Sequence, residues 1–457
     1  MKLTFLMMAV SVAAAPAPEA HPVCIVGAGP AGLMAANGLE AKGYSTVIFE
    51  KDPEVGGKCQ EYYEGNTFHP MGALVFPNST MYTETYKVVS QSGLPNYPFG
   101  YDGKPWLFDW QTGDVVLAPS SQGDLYPEME SDIDRYIQFW NANISSNWGS
   151  IGYKDGIPLE YTVSIGQWLT DNGYGALFIN LFEEGMVPYG YGDISETPAI
   201  YLFKYITPYI LLWFAGQYPA YIVDYHQVFV RFAESSIKGA LHTSTHITEI
   251  DRSGPVPVIT YTSDGVSLAT QHCSKLILAF PPVIDALEAA HLDITSEENE
   301  VFSPVGTTKY WSGAVNVAIP PGSVYGAAVF EAEGQPAAVV SLFNTSSIAT
   351  TWSWGKYRSN QTDEEAKELL ISTISKFNKD PNNATQLPIP ITEEDVRDFG
   401  GWDYFPHYDT QQLQEGFYGK FDALQGHKNT YYASGLNAFE IIEFALRAGQ
   451  DVAASYF

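Results

Sequence analysis

Apolar and polar positions along this chain predict strands and helices in turn, most clearly near its two ends. Near the start, PVCIVGAG predicts a strand, a helix is predicted from Pro30 to about Lys42, and STVIFE predicts a second strand. Near the end, NTYYASG predicts a strand and FEIIEFALRAGQDVAASYF a helix. Further strands are predicted at LHTSTHITEIDRS, VPVITYTS and SKLILAFPP. This alternation indicates an α/β fold built from discontinuous segments.

The middle of the chain has a different pattern, with aromatic-rich loops and helical stretches such as SIGQWLTDNGYGALFINLFEEGM. The most apolar segment there is YLFKYITPYILLWFAGQY, which Lys204 and Pro208 interrupt. We therefore expect a buried helix pair rather than a membrane span, while a tunnel for an apolar ligand would give the same pattern. A later helix is predicted over TDEEAKELLISTISKF, with a capping box at Thr362 and Glu365. Its apolar stripe comprises Ala366, Leu370, Ile374 and Phe377.

A glycine-rich turn joins the first predicted strand to the first predicted helix. Gly27, Gly29 and Gly32 have the spacing G-x-G-x-x-G, which allows a tight turn, a close approach to a pyrophosphate and close packing of helix on strand. The helix N-terminus adds free N–H groups and the positive end of a dipole. Glu50 ends the second strand, where a carboxylate accepts hydrogen bonds from ribose hydroxyls and repels a 2′-phosphate. These residues predict a dinucleotide site that disfavours NADP.

Later segments favour FAD over NAD. Gly56-Gly57-Lys58 follows Glu50, FHPMGALVF contains Gly72-Ala73, and a strand ends at Gly435 shortly before the last helix. The Glu-to-Gly-Gly-Lys extension resembles that of flavoproteins with the two-dinucleotide-binding-motif layout, in which the chain continues beneath the flavin. We expect Lys58 to reach phosphate or flavin oxygens and Gly72-Ala73 to pass close to the isoalloxazine.

The chain resembles the flavin-containing amine oxidase superfamily over nearly its whole length after the N-terminus. GAGPAGLMAANGLEAKGY, EKDPEVGGKC, MGAL and NTYYASG are similar to that superfamily. YGYGDISETPAIYLFKY and WDYFPHY are similar to its branch of polyunsaturated fatty acid isomerases and fungal cyclopiazonate-dehydrogenase-like FAD oxidoreductases. The resemblance implies an α/β fold in which a Rossmann-like FAD-binding domain is interleaved with an α+β substrate domain. It also implies non-covalent FAD, since no cysteine follows Cys273 to anchor the flavin.

The resemblance implies domain boundaries and cofactor contacts. Residues 21–85, 225–290 and 415–457 are assigned to the FAD-binding domain, and residues 86–224 and 291–414 to the substrate-binding domain. The strand HTSTHITEI resembles one whose backbone pairs with adenine, which puts Ile247 near that base. The expected cofactor contacts are Gly27, Gly29, Pro30, Ala31, Gly32, Glu50, Lys51, Gly57, Lys58, Gly72, Ala73, Ile247, Gly435 and Phe439.

The expected substrate side of the flavin is aromatic, although core packing explains any single ring equally well. We expect hydride to pass from a substrate carbon to flavin N5, so that catalysis depends on positioning and on the exclusion of water. The expected pocket residues are Tyr189, Tyr191 and Phe203, together with Tyr404, Phe405 and His407 from YFPH.

Candidate catalytic residues are His407, Tyr404 and Lys309. His407 is suited to be a general base because imidazole titrates near neutral pH. The alternative is a structural role as a hydrogen-bonding residue. The same two roles are considered for His69. Lys309 resembles the lysine that holds a water near N5 in amine oxidases, with a solvated surface lysine as the alternative. An arginine that would grip a fatty-acid carboxylate has no secure counterpart, and the nearest basic residue is Lys104.

The net charge of the chain and its N-terminal sequence indicate which binding partners and which cellular location to expect. A formal net charge of −29 argues against nucleic acid and anionic membrane surfaces, which both require basic patches. Residues 1–20 have the charged start, short apolar run and small residues of a signal peptide. Sequons support secretion and N-glycosylation, and they begin at Asn78, Asn143, Asn344, Asn360 and Asn383.

Cysteine and histidine usage predicts neither a disulfide scaffold nor a metal site. The chain has three cysteines and nine scattered histidines, from which no metal cluster can be assembled. We expect Cys24 and Cys273, in or beside predicted strands, to be core or surface thiols.

The leading hypothesis is an FAD-dependent oxidoreductase that removes hydride from a small, largely apolar molecule, with fungal-type secondary metabolism as the expected setting and O₂ as a candidate electron acceptor. The first alternative is an FAD-dependent double-bond isomerase of an unsaturated fatty acid. The second is a non-enzymatic prenyl-lipid carrier. The residues of the expected cofactor site argue against this alternative, namely Glu50, the Gly-Gly-Lys extension and Gly435. No other strand-GxGxxG-helix unit is predicted, so a second nicotinamide site is not expected.

Overall fold

The structure is a computed structural model that describes residues 21–77, 79–99, 105–118 and 126–457. The strands are β1 Val23–Val26, β2 Thr46–Phe49, β3 Glu61–Glu64, β4 Thr67–Pro70, β5 Val75–Pro77, β6 Tyr97–Phe99, β7 Pro105–Phe108, β8 Val115–Leu117, β9 Ala220–Ile222, β10 Ala240–His242, β11 His246–Asp251, β12 Val258–Thr262, β13 Ala269–His272, β14 Lys275–Leu278, β15 Gly306–Asn316, β16 Val324–Ala327, β17 Pro336–Val340, β18 Ile348–Tyr357, β19 Val396–His407 and β20 Thr430–Tyr432. The helices are α1 Pro30–Ala41, α2 Thr83–Ser92, α3 Tyr126–Asn143, α4 Ile165–Asp171, α5 Ala176–Met186, α6 Ala199–Tyr205, α7 Pro208–Phe214, α8 Tyr225–Ser236, α9 Ile284–Ala289, α10 Ser296–Phe302, α11 Asp363–Phe377, α12 Thr410–Gln414, α13 Phe417–Ala423 and α14 Ile442–Ser455. The predicted signal peptide, the Asn78 sequon and Lys104 lie outside the described residues.

The glycine-rich turn follows β1, the central strand of a parallel sheet with strand order β10-β2-β1-β14-β20. Its central strands are fully buried, which agrees with their continuous apolar sequences. Helices α1 and α14 pack directly on each other, since a Cβ added to Gly449 would collide with the carbonyl oxygen of Ala31. All five strands lie within the segments assigned to the FAD-binding domain, while the domain boundaries themselves stay a prediction.

A mixed sheet with strand order β19-β15-β18-β17-β16-β7-β8 forms the second layer of structure. Most of its pairs are antiparallel, and β16 with β7 is parallel. The predicted helix over TDEEAKELLISTISKF is confirmed as α11, with its Thr362–Glu365 capping box and its buried apolar stripe. The predicted buried helix pair is confirmed as α6 and α7. No helix among the described residues has the length and apolar character needed to cross a membrane.

The single strand predicted over HTSTHITEI is wrong. The segment forms two strands, β10 in the parallel sheet and β11 in a separate sheet with order β11-β12-β13. Ser244 has a φ of +48°, which turns the backbone between them. The amide of Thr245 donates to the carbonyl oxygen of Glu50, so the break anchors the chain to the end of β2.

Cys24 and Cys273 are joined in a buried disulfide, with their Cα atoms 5.5 Å apart. The expectation that both are thiols is therefore wrong. The two residues are 249 positions apart, and parallel pairing of β1 with β14 brings them together, with Val23 opposite Lys275. Cys59 is buried and free.

A buried ion pair ties β11, α10 and β20 together and predicts acid sensitivity. Arg252 Nη1 and Nη2 donate to the two carboxylate oxygens of Glu298 at 2.6 and 2.8 Å, and Tyr432 Oη donates to the same carboxylate at 2.7 Å. Burial acts to raise the pKa of Glu298, but the Arg252 guanidinium and these hydrogen bonds outweigh it and lower the pKa from about 4.5 to about 2. The pair therefore stabilises the fold fully above pH 4.5, and this stability is lost as the pH falls from 4.5 to 2.

We expect the free energy of unfolding to fall by roughly 3 kcal/mol across that window, as measured by urea denaturation at a series of pH values. The control is Arg252→Met with Glu298→Met, which removes both charges and should flatten this part of the pH dependence. An unchanged pH slope in the double variant would contradict this origin of the acid sensitivity.

Candidate functional site

The turn between β1 and α1 has the shape needed to hold a pyrophosphate. Gly27 has a φ of +103°, and a Cβ there would lie 2.9 Å from the carbonyl oxygen of Ala279. A Cβ on Gly32 would collide with the carbonyl oxygen of Gly27. Gly29 is the N-cap of α1 and provides no side-chain cap, and Pro30 and Ala31 begin the helix. The helix N-terminus is therefore left to bind an anion with its backbone N–H groups.

The Gly56-Gly57-Lys58 segment lies directly on this turn. The amide of Gly56 donates to the carbonyl oxygen of Ala28 at 3.0 Å, and a Cβ on Gly57 would lie 3.1 Å from Gly29 Cα. Gly29 itself has room, because the nearest atom to a Cβ there is Gly57 Cα at 3.7 Å. The two glycine segments thus form one backbone-lined cradle.

Glu50 lies at the carboxyl end of β2 and is buried, with 5% exposure. Its Oε2 accepts from the amide of Ala28 at 2.7 Å and its Oε1 from the amide of Asp52 at 2.9 Å. These bonds hold the carboxylate beside the cradle, as predicted for a ribose-binding group. Ile247 follows two residues after Thr245, whose amide bonds the Glu50 carbonyl, so the predicted adenine-side strand begins at this place.

Lys51 is not brought to the cradle. Its side chain is 73% exposed and pairs with the adjacent Asp52, with Nζ 3.0 Å from Oδ1. The alternation of side chains along an extended segment sends Glu50 inward and Lys51 outward.

The segment after β20 brings Gly435 and Glu440 to the other end of the cradle. β20 lies next to β14, which pairs with β1, so the turn after β20 and the turn after β1 lie at the same edge of the sheet. A Cβ on Gly435 would collide with the carboxylate of Glu440. Lys58 Nζ lies 2.8 Å from Glu440 Oε1 and 5.1 Å from the centre of the Tyr404 ring. The ion pair joins the two ends of the site.

A group of tyrosines, which we name the tyrosine cluster, forms a wall beside this ion pair and consists of Tyr189, Tyr191, Tyr205, Tyr310 and Tyr404. Neighbouring rings are 4.4 to 6.4 Å apart between centroids, and Phe439 packs on Tyr191 at 4.7 Å. The hydroxyl groups of Tyr191 and Tyr404 lie 3.1 Å apart, and each reaches the carbonyl oxygen of Glu440. Tyr310 donates to the carbonyl oxygen of Pro188 at 3.0 Å.

Four hydroxyl groups of the tyrosine cluster are held in their neutral form. Burial raises the pKa of Tyr191, Tyr205, Tyr310 and Tyr404 well above the ordinary value of tyrosine. These phenols can therefore donate hydrogen bonds but do not ionise near neutral pH. The hydroxyl groups of Tyr191, Tyr310 and Tyr404 are used on backbone carbonyl oxygens and, between Tyr191 and Tyr404, on each other, which leaves the ring faces as the apolar part of this wall.

Comparison with known proteins agrees with this geometry. Residues 25–92 match the NAD(P)-binding Rossmann-like domain family. The FAD-dependent oxidoreductase dpchF of Colletotrichum higginsianum is 23% identical over 447 residues, which cover 91% of this chain and 88% of that protein. The CLA-producing fatty acid isomerase from P. acnes superposes with a TM-score of 0.81 at 21% identity, over 96% of this chain and 99% of that one. Putrescine oxidase bound to putrescine superposes with a TM-score of 0.63 at 18% identity, over 95% and 98%.

The chain is similar over most of its length to an FAD-dependent oxidoreductase, and it shares the fold of a fatty acid isomerase and of an amine oxidase. The resemblance stated from the sequence motifs is thereby confirmed, as is the Rossmann-like α/β fold class. The individual site residues stay predictions, and the structure tells which of them lie together.

Phe203 does not lie with the tyrosine cluster, contrary to expectation. Its ring packs against Phe139, Tyr161 and Trp168 at 4.8 to 5.4 Å, inside the helical layer. Tyr205 lies two residues later on the same helix and so faces a different side, where it meets Tyr191 at 4.4 Å. Phe203 and Tyr205 therefore lie on different faces of α6, and it is Tyr205 that joins the tyrosine cluster.

Lys309 does not lie with the tyrosine cluster either. It pairs with Asp403 on the neighbouring strand β19, with Nζ 3.0 Å from Oδ1, and the Asp403 side chain is 55% exposed. Tyr310, the next residue in β15, points to the opposite face and joins the cluster. The contacts of Lys309 are those of the alternative interpretation, a solvated surface lysine.

His407 lies behind Phe405 rather than among the tyrosines. Its ring stacks on Phe405 at 4.3 Å and contacts Tyr201 and Tyr357, and its Nδ1 bonds the carbonyl oxygen of Phe405 at 2.7 Å. Burial lowers its pKa to about 4, so it is neutral near pH 7. Phe405 has a φ of +51°, which turns β19 at this point. These contacts are those of the structural hydrogen-bonding role.

His69 and Gly72 have structural contacts. His69 is fully buried and its Nε2 lies 3.1 Å from Ser346 Oγ, and burial lowers its pKa to about 4. A Cβ on Gly72 would collide with the carbonyl oxygen of Lys58. Gly72 therefore packs on the Lys58 backbone, and the close approach of Gly72-Ala73 to the isoalloxazine stays a prediction.

The sequence-based prediction missed Glu440, Tyr205 and Tyr310. Each is adjacent to, or two residues from, a residue that was selected: Phe439, Phe203 and Lys309. Strand alternation would have pointed to Tyr310 beside Lys309, and helix periodicity to Tyr205. Glu440 had no sequence signal, because its partner Lys58 is 382 positions away.

Proposed function

We propose that this chain, an FAD-dependent oxidoreductase, removes hydride from a small, largely apolar and planar substrate that rests against the tyrosine cluster. FAD, when bound, would supply the hydride acceptor, and the residues of the chain would hold the dinucleotide and position the substrate carbon against it. The glycine cradle, Glu50 and the Gly435 turn would hold the dinucleotide. The absence of a side chain at Gly29 and the uncapped N-terminus of α1 fit its pyrophosphate.

The observation that carries this proposal is the tyrosine cluster beside the Lys58–Glu440 pair. Its rings fix the orientation of a flat ligand and keep water from the reacting carbon. The hydroxyl groups of Tyr191 and Tyr404 donate to the carbonyl oxygen of Glu440 and that of Tyr310 to the carbonyl oxygen of Pro188, which holds these three rings in place. Positioning is therefore the main contribution of the chain itself to the reaction.

The alternative function, double-bond isomerisation of an unsaturated fatty acid, is favoured by the superposition on a fatty acid isomerase. A fatty-acid substrate needs a cation for its carboxylate. Within the described residues, the cation that contacts the tyrosine cluster is Lys58, and Glu440 already neutralises it. This arrangement favours an uncharged substrate over a carboxylate.

Anaerobic mixing with candidate amines, fatty acids and indolic compounds tests the proposal. We expect bleaching of the flavin absorbance near 450 nm (roughly, for bound oxidised flavin) by an apolar planar compound, and oxygen uptake when air is admitted. Product formation without oxygen uptake would support the isomerase. Absence of bleaching by every class at full FAD occupancy would overturn the hydride-transfer proposal.

A matched pair of variants tests the pocket assignment. Tyr404→Leu removes a ring from the tyrosine cluster and should slow bleaching by about 10-fold or more, since a misplaced substrate loses the near-attack geometry. Phe203→Leu removes a ring from the helical layer and should leave the bleaching rate within about 3-fold. Equal slowing in both variants would contradict the assignment.

We further propose that the chain enters the secretory pathway and is N-glycosylated. The N-terminal signal pattern and the buried Cys24–Cys273 disulfide support this, because disulfides persist in oxidising compartments. The sequon residues Asn143, Asn344, Asn360 and Asn383 are exposed. Protein from the native host should lose mass on endoglycosidase treatment, and an unchanged mass with Met1 retained would contradict the proposal.

A further inference from the structure

The Lys58–Glu440 ion pair lies where the cradle meets the tyrosine cluster, which is the flavin end of the proposed site. Lys58 follows Gly57 on the cradle, and Glu440 lies against Gly435 after β20. The two side chains are 27% and 15% exposed, and their charged atoms are 2.8 Å apart. At this burial each charge cancels much of the field of the other.

Both partners are held in place through their backbones. The carbonyl oxygen of Glu440 receives the hydroxyl groups of Tyr191 and Tyr404 at 3.0 and 3.2 Å. Gly72 packs on the carbonyl oxygen of Lys58, where no Cβ would fit. The pair is therefore part of the wall of the site.

The second carboxylate oxygen of Glu440 lacks a hydrogen-bond donor among the described residues. Oε2 is buried and accepts no hydrogen bond from the residues that the structure describes. A buried acceptor without a donor is unfavourable, so a donor on a bound ligand is the natural partner. FAD carries such donors at this end of the molecule, in its ribityl hydroxyl groups and its ring N3–H.

We propose that Glu440 is a positioning residue that neutralises Lys58 and thereby limits the electron affinity of the bound flavin. This inference rests on the proposed function, since it requires FAD at the site. Reduction of flavin adds negative charge, which a nearby ammonium group stabilises and a nearby carboxylate opposes. Without the carboxylate, Lys58 acts on the flavin uncompensated.

The test is the midpoint potential of bound FAD, titrated anaerobically against a reference dye. Glu440→Gln keeps the shape and removes the charge, and it should raise the equilibrium constant for reduction by about 10-fold or more, which is about 30 mV for a two-electron couple. Lys58→Met with Glu440→Gln removes both charges and should return to within about 3-fold of the wild-type constant.

The matched control is Asp403→Asn, which frees Lys309 from its carboxylate on the opposite face of β15 and should leave the potential unchanged. Glu440→Ala provides a second charge-removing variant and should shift the potential in the same direction as Glu440→Gln. Thermal melting verifies that each variant is folded.

An unchanged potential in Glu440→Gln, or a shift that persists in the double variant, would overturn the inference. Glu440→Gln keeps a carbonyl oxygen that can accept from a donor on FAD, so complete loss of FAD from this variant would show that the charge itself holds the cofactor and would overturn the inference as well. Wild-type protein that binds no FAD would overturn the proposed function instead, so the two failures are distinguishable.

Discussion

Gly29→Ala is expected to give a folded protein that no longer retains FAD. Gly29 has φ −73° and ψ 179°, which alanine adopts without strain, and the nearest atom to the added methyl group is 3.7 Å away. The fold therefore tolerates the methyl group. It would, however, occupy the space through which the backbone must approach the pyrophosphate, and the hydrogen bonds from the α1 N-terminus would be lost.

We expect the affinity for FAD to fall by at least about 100-fold, or about 2.8 kcal/mol. The measurement is the ratio of flavin to protein absorbance after dialysis, followed by titration of the apoprotein with FAD. The matched control is Gly419→Ala in α13, where an added Cβ meets no atom within 4 Å, and FAD binding should be unchanged. Wild-type FAD affinity in folded Gly29→Ala would contradict the assignment of the cradle.

Replacing both Cys24 and Cys273 by alanine is expected to cause the largest loss of stability. The disulfide closes a loop of 249 positions, and cross-links over such long loops restrict the unfolded chain most strongly. We expect the free energy of unfolding to fall by about 4 to 5 kcal/mol in urea denaturation. Because the disulfide is fully buried, dithiothreitol without denaturant should leave it intact.

Cys59→Ala is the control for the loss of a buried sulfur atom without a cross-link, and it should cost about 1 to 2 kcal/mol. A thiol count on denatured, unreduced protein provides an independent check. One reactive thiol is expected, that of Cys59, and three would show that the disulfide does not form.

The dinucleotide end of the site was predictable from the sequence. Gly27, Gly29, Gly32 and Glu50 act through local backbone geometry, a turn, a helix start and a strand end, which short segments encode directly. The structure places all four at one edge of the parallel sheet, as expected. The buried stripe and capping box of α11 were predictable for the same reason.

The substrate end was predictable only in part. The sequence selected the segments that carry Tyr191 and Tyr404, and the structure brings these two hydroxyl groups within 3.1 Å of each other, while their role in a pocket stays a prediction. Phe203, Lys309 and His407 belong to the same segments but face other layers. Which face of α6, β15 or β19 meets the site depends on how these elements pack, and the turn of β19 at Phe405 changes the alternation there.

The sequence by itself determined the first βαβ unit with its glycine cradle, the last helix, α11 and the resemblance to flavoproteins, because each of these depends on contiguous residues whose spacing has a local physical meaning. Only the tertiary structure decided the Cys24–Cys273 disulfide and the Lys58–Glu440 ion pair. These join positions 249 and 382 residues apart. No local pattern specifies such contacts, since they arise from the order of strands in the parallel sheet, which brings the turns after β1 and β20 to one edge.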